Sequence, residues 1–158
     1  MMAKSSMIVK NQKLRDETVL EIGKFAILWN YFEHTYCDDN CSSKKIKQAC
    51  ENLMVDKQKM FSFSGVLNKR RGLLGLSEAE YINKSMHPQN AINSSENDKQ
   101  AMCAFLEGRC GELEYGCLLI IYRIRNNLMH GLKMLSELDS QIELFRAASE
   151  VLESINNK

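Results

Sequence analysis

Apolar residues recur at intervals of three and four along most of this chain. Val19, Ile22, Phe25, Ala26, Trp29, Phe32 and Tyr36 form one such series and predict an amphipathic helix over 14–37. The polar Asp38-Asp39-Asn40 ends it. Ser42 or Ser43 can cap a second helix carrying Ile46, Cys50, Leu53 and Met54, with an extension through Phe61 and Phe63. Asn68-Lys69-Arg70-Arg71-Gly72 reads as its exit, and Gly75 closes the segment. Ser77 with Glu80 is a capping-box pair that starts a short helix ending near His87-Pro88. The polar stretch 89–97 predicts a loop, followed by helices over about 98–108 and 113–130. After Gly131, the series Leu135, Leu138, Ile142, Leu144, Phe145, Ala148, Val151, Leu152 and Ile155 predicts a final amphipathic helix. Strict alternation is not sustained anywhere and no two-residue hairpin signal occurs. The pattern therefore predicts an all-α fold: a single-domain antiparallel helical bundle over 13–158 with additional short helices, preceded by a frayed leader at 1–12.

Composition changes this picture little. A chain of 158 residues, 44% apolar and 26% charged, is ordinary for one globular domain. No window supplies the ~18 uncharged apolar residues that a membrane span needs. Residues 1–12 lack the apolar core of a secretory signal, so a cytoplasmic location without membrane association is expected. The six cysteines at 37, 41, 50, 103, 110 and 117 do not form paired ligand spacings. Disulfides are not expected in such a compartment. Cys103, Cys110 and Cys117, seven apart, are expected on one face of a continuous helix as buried thiols. No metal and no cofactor is called for.

The net charge is only +1, but it is unevenly spread. The segment 44–71 holds Lys44, Lys45, Lys47, Lys57, Lys59, Lys69, Arg70 and Arg71 against Glu51 and Asp56, whereas 134–158 leans acidic. The basic stretch suits a phosphate backbone, although a solvated helix face accounts for the same charges. His34 and His87 have no partner at useful spacing. Tyr31, Tyr36, Tyr115 and Tyr122 suit base stacking, but aromatic residues at helical spacing equally suit a core.

Chemistry is concentrated at the end of the apolar run 115–121, in Tyr122-Arg123-Ile124-Arg125-Asn126-Asn127-Leu128-Met129-His130-Gly131. On a helix, Asn126 and His130 stack on one face and Arg125 lies about 100° round from Asn126. Gly131 suits a helix end, where the backbone partial charge favours imidazolium on His130. The string Arg123 to Lys133 resembles the Arg-Asn-Asn-Leu-Phe-His-Gly-x-Lys form found in one branch of the HEPN domains, small all-helical modules of prokaryotic defence systems. Trp29, Phe32 and Glu33 are similar to the Trp-x-x-Phe-Glu segment on the first helix of that branch. Met129 stands where an aromatic is usual. Leu132 stands where a modified Tyr occurs in toxins paired with nucleotidyltransferase antitoxins, so that control is not expected here.

The resemblance implies a HEPN-like, homodimeric, metal-independent endoribonuclease of a toxin or host-defence type. Arg125 and His130 would be catalytic, Asn126 would assist, and two copies of the motif would face each other in a composite cleft. Arg123, Asn127 and Lys133 would support the site or touch RNA. Glu33 is either a buried carboxylate fixing a motif arginine or a surface acid beside His34. An antitoxin or regulatory protein is a possible further partner. A HEPN-like module that binds RNA, nucleotide or protein without cutting, and a mannitol-repressor-like helical regulator, are the alternatives.

Overall fold

The computed structural model describes residues 6–9, 12–86, 96–109, 111, 113–129 and 135–158. Strands β1 (Ser6–Val9) and β2 (Gln12–Arg15) pair antiparallel, Ser6 opposite Arg15. They are followed by α1 (Asp16–Tyr36), α2 (Ser43–Cys50), β3 (Leu53–Met54), α3 (Lys57–Leu74) and α4 (Glu78–Tyr81). A π-helical turn (Ile82–Met86) extends α4. Next come α5 (Glu96–Glu107), α6 (Leu113–Met129), a 3-10 segment (Leu135–Gln141), α7 (Ile142–Glu153) and β4 (Asn156–Asn157). The fold is all-α, a helical bundle carrying two small strand pairs. No helix among the described residues is long and apolar enough to cross a membrane.

Local chemistry sets the helix ends. The Ser42 hydroxyl accepts from the Lys45 amide at 3.2 Å, and Asp56 accepts from the Lys59 amide at 3.0 Å, each satisfying an orphan N–H of a first turn. Ser77 and Glu80 form the expected capping box. Gly75, at φ 68°, adopts the left-handed conformation that closes α3.

Three differences from the sequence reading have physical causes. Part of the segment expected to fray, Ser6–Val9, is a strand, because its backbone groups pair with Gln12–Arg15. The second predicted helix does not run on through Phe61. It stops at Cys50, β3 pairs with β4 (Leu53 opposite Asn157), and the Asp56 cap starts a separate α3 that runs past Gly72 to Leu74. Cys103 and Cys117 do not share a helix, since α5 ends at Glu107 and α6 begins at Leu113. Cys110 and the predicted 89–95 loop lie outside the described residues. Cys117 is fully buried, which pushes its thiol well above the usual range.

The core joins Phe25, Trp29 and Phe32 of α1 to Phe63 and Leu67 of α3, Phe105 of α5, the run 117–121 of α6 and Phe145 of α7. Helices α3 and α7 run antiparallel: Lys59 pairs with Glu150 at 3.8 Å, and Arg70 donates to the Ser140 carbonyl at 3.4 Å. In contrast, α1 and α7 run in the same sense, Glu17 meeting Arg146 at 2.8 Å and Lys24 meeting Glu153 at 2.7 Å. Helices α5 and α6 form a hairpin in which Gly116 lies against the backbone of Ala101. A Cβ there would collide with the Ala101 carbonyl oxygen, so only glycine permits this backbone contact.

Candidate functional site

Helix α6 has its N-terminal two-thirds in the core and brings the motif towards its C-terminal end. Arg125 is half-buried, and its Nη1 donates to the Asn126 Oδ1 at 3.0 Å. Asn126 is itself buried, so its carboxamide holds the guanidinium in one place instead of projecting into solvent. His130, Gly131 and Lys133 lie outside the described residues.

Two further polar side chains of the motif turn inward. Arg123 is 5% exposed and Asn127 is 2% exposed. They are four apart, on the face that also carries Gly116 and Ile120, and that face looks towards α5. Burial pushes the Arg123 guanidinium below its ordinary value, opposed first by the charge of Asp98 on α5. Asp98 is buried as well and accepts from the Tyr115 hydroxyl at 2.5 Å. Asp98, Tyr115 and Arg123 thus form a polar group between α5 and α6, placing Arg123 in support of the helix pair. Asp98 is absent from any sequence motif, and only the folded hairpin connects it to the others.

Glu33 is half-buried, and its carboxylate engages the turn that follows α1. Its Oε2 accepts from the Cys41 amide at 3.0 Å, and its carbonyl oxygen accepts from the Cys37 and Asp39 amides at 3.0 Å each. It fastens the turn after α1, in which Asp38 and Asp39 adopt positive φ. That turn brings the Cys37 and Cys41 Cα atoms to 4.9 Å, and their sulfurs are bonded. This disulfide runs against the expectation from cysteine spacing, which includes none. The local turn overrides it, because left-handed residues at 38 and 39 fold the chain back within four positions.

The same turn touches α6. The Tyr122 hydroxyl donates to the Cys41 carbonyl at 3.2 Å, and the Tyr122 ring stacks on Trp29 with centroids 5.8 Å apart. Further along, Lys47 Nζ sits 5.6 Å above the Tyr115 ring. Tyr122 therefore lies level with Cys41 and Tyr115 level with Lys47, so α2 runs antiparallel along α6. A groove of about 750 Å³ opens beside Tyr115, bounded by Lys47, by Asn97 and Gln100 of α5, and by Arg109.

The chain matches no family model, no curated protein and no solved structure.

Proposed function

We propose that the protein is a metal-independent endoribonuclease of the HEPN type, acting as a homodimer in a toxin or host-defence role. One observation carries the reading: Arg125 is held by Asn126 near the C-terminal end of an otherwise buried helix, at the position the resembling motif gives to its catalytic arginine. A guanidinium fixed before substrate arrives suits two phosphate oxygens and needs no reorganisation as charge builds on phosphorus. His130, five positions later, supplies the proton chemistry in this reading. The 2′-oxygen attacks phosphorus as its proton leaves to a base. The bond to the 5′-oxygen breaks, and that oxygen takes up a proton from an acid. The products are a 2′,3′-cyclic phosphate and a 5′-hydroxyl. One imidazole does not reach both sides of the phosphorus, so a second copy across a two-fold axis supplies the other.

The test is cleavage of RNA by the purified protein in EDTA, comparing wild type with Arg125→Ala and His130→Ala. Loss of at least about a hundredfold in each variant is expected, as removal of a proton-transfer or charge-stabilising group costs that much. Equal activity in all three ends the reading. The solution mass should be that of a dimer.

One observation favours a second reading, an RNA-binding module that does not cut. Arg123 and Asn127 are inside, which leaves Arg125 as the one described motif cation reaching solvent. A stoichiometric complex with intact RNA, unaffected by His130→Ala, would decide for it.

A further inference from the structure

We propose that a second copy of this chain docks on the cleft between α3 and the start of α7, about a two-fold axis that runs along the two helices. This interface needs no RNA chemistry and goes beyond the ribonuclease reading. Ser62, Val66, Lys69 and Leu73 recur at four, three and four, so they share one side of α3. Val66 and Leu73 give the cleft one apolar wall, and Ile142 and Leu144 give it the other. Leu73 is 82% exposed, the most exposed large apolar side chain among the described residues. Its own chain leaves it uncovered although it borders a cleft of about 270 Å³. Deleting a leucine from a core can leave a cavity of about 150 Å³, so the cleft has room for one such side chain from outside.

Charge names the occupant. Lys69 stands on the α3 rim and Glu143 on the α7 rim, both exposed. Among the described residues neither takes part in an ion pair, in contrast to Lys59 with Glu150 and Arg71 with Glu78 at 3.6 Å. Lys59 lies level with Glu150 and Arg70 with Ser140. Lys69 and Glu143 are therefore within about one helical turn of the same level, on opposite rims. A polyanion such as RNA, or an acidic peptide, would be attracted by one rim and repelled by the other.

A second copy meets no such conflict. A two-fold axis along the cleft sets each α3 rim against the partner's α7 rim, so Lys69 faces the partner's Glu143 twice in every dimer. The same rotation lays each Leu73 against the partner's wall of Ile142 and Leu144. An axis across the cleft would instead set like charges together. The result is an apolar centre ringed by paired charges, the common anatomy of a protein interface.

Sedimentation velocity of the full chain over a concentration series tests the interface. Wild type should be a dimer, and Leu73→Glu should weaken it at least about a hundredfold, since two apolar anchors become charged. Lys69→Glu and Glu143→Lys should each weaken it about tenfold, because two rim pairs turn repulsive. Mixing these two single variants should restore wild-type association, as every rim contact between unlike chains is again between opposite charges. All the altered side chains are exposed, so far-UV circular dichroism should not change. A monomeric wild type, a dimer indifferent to Leu73→Glu, or a mixture no tighter than its components overturns the interface. So does single-stranded RNA binding that Lys69→Glu abolishes and Glu143→Lys strengthens with the mass unchanged, which would assign the cleft to a polyanion. A dimer that follows the charge rule yet cuts no RNA in EDTA removes the ribonuclease reading and leaves the interface. RNA cleavage by a dimer that ignores every variant removes the interface alone.

Discussion

At the scale of single residues, Asp139 shows how much one carboxylate can organise. Its Oδ1 accepts from the Thr18 hydroxyl at 2.6 Å and from the Arg15 amide at 3.1 Å, while its carbonyl accepts from Arg15 Nη2 at 2.9 Å. The start of α1 is thereby tied to the 3-10 segment before α7. The Thr18 hydrogen bond, helped by Arg15, holds the Asp139 carboxyl below its ordinary value. A group ionised more readily in the folded state stabilises the protein above its unfolded value of about 3.9, and this contribution is lost as pH falls through the lower folded value. Asp139→Asn should therefore be less stable than wild type in urea at neutral pH. The gap should close as the titration is carried below about pH 3.9. A gap that persists unchanged into acid would contradict the assignment. The motif residues give the complementary lesson about what a sequence conceals. Arg125 and Arg123 are two apart and look alike in a string, yet one is held for solvent and the other faces Asp98. The spacing Gly116, Ile120, Arg123, Asn127 does mark one helix face, but its inward direction depends on α5.

At the scale of elements, the long helices were legible because burial repeats at helical spacing. Phe25, Trp29 and Phe32 define α1, and the uninterrupted 117–121 run defines α6. What escaped was pairing across distance. The break between α2 and α3 depends on Leu53 meeting Asn157, more than a hundred positions away, and no local pattern announces it. The Cys37–Cys41 link escaped for a different reason, since it depends on positive φ at two aspartates that are not the usual left-handed residue. Closing so short a loop should contribute roughly 2 kcal/mol by restricting the unfolded chain. Reductant should therefore lower the urea midpoint, and Cys37→Ser/Cys41→Ser should show the same loss without reductant. A midpoint indifferent to reductant would dissociate the turn from stability. The groove was only half legible. Lys47 stood out in the basic stretch, but its seat over the Tyr115 ring, and the pairing of Lys59 with Glu150 and Arg71 with Glu78, needed the bundle to be assembled.

At the scale of the molecule, the bundle divides its helices between two tasks. The α1–α7 pair, with α3 alongside, carries much of the aromatic core and four of the ion pairs among the described residues. The α5–α6 hairpin, with α2 laid against it, carries the polar group around Asp98, the groove and Arg125. This second unit owes its geometry to the missing side chain at Gly116, which lets two backbones meet at Ala101 without intervening atoms. Such a seam leaves little room for breathing. Its amides should be among the last in the chain to take up deuterium, and Gly116→Ala should hasten that uptake across both helices. A groove whose walls already stand at their final separation can be filled without the cost of bringing them together.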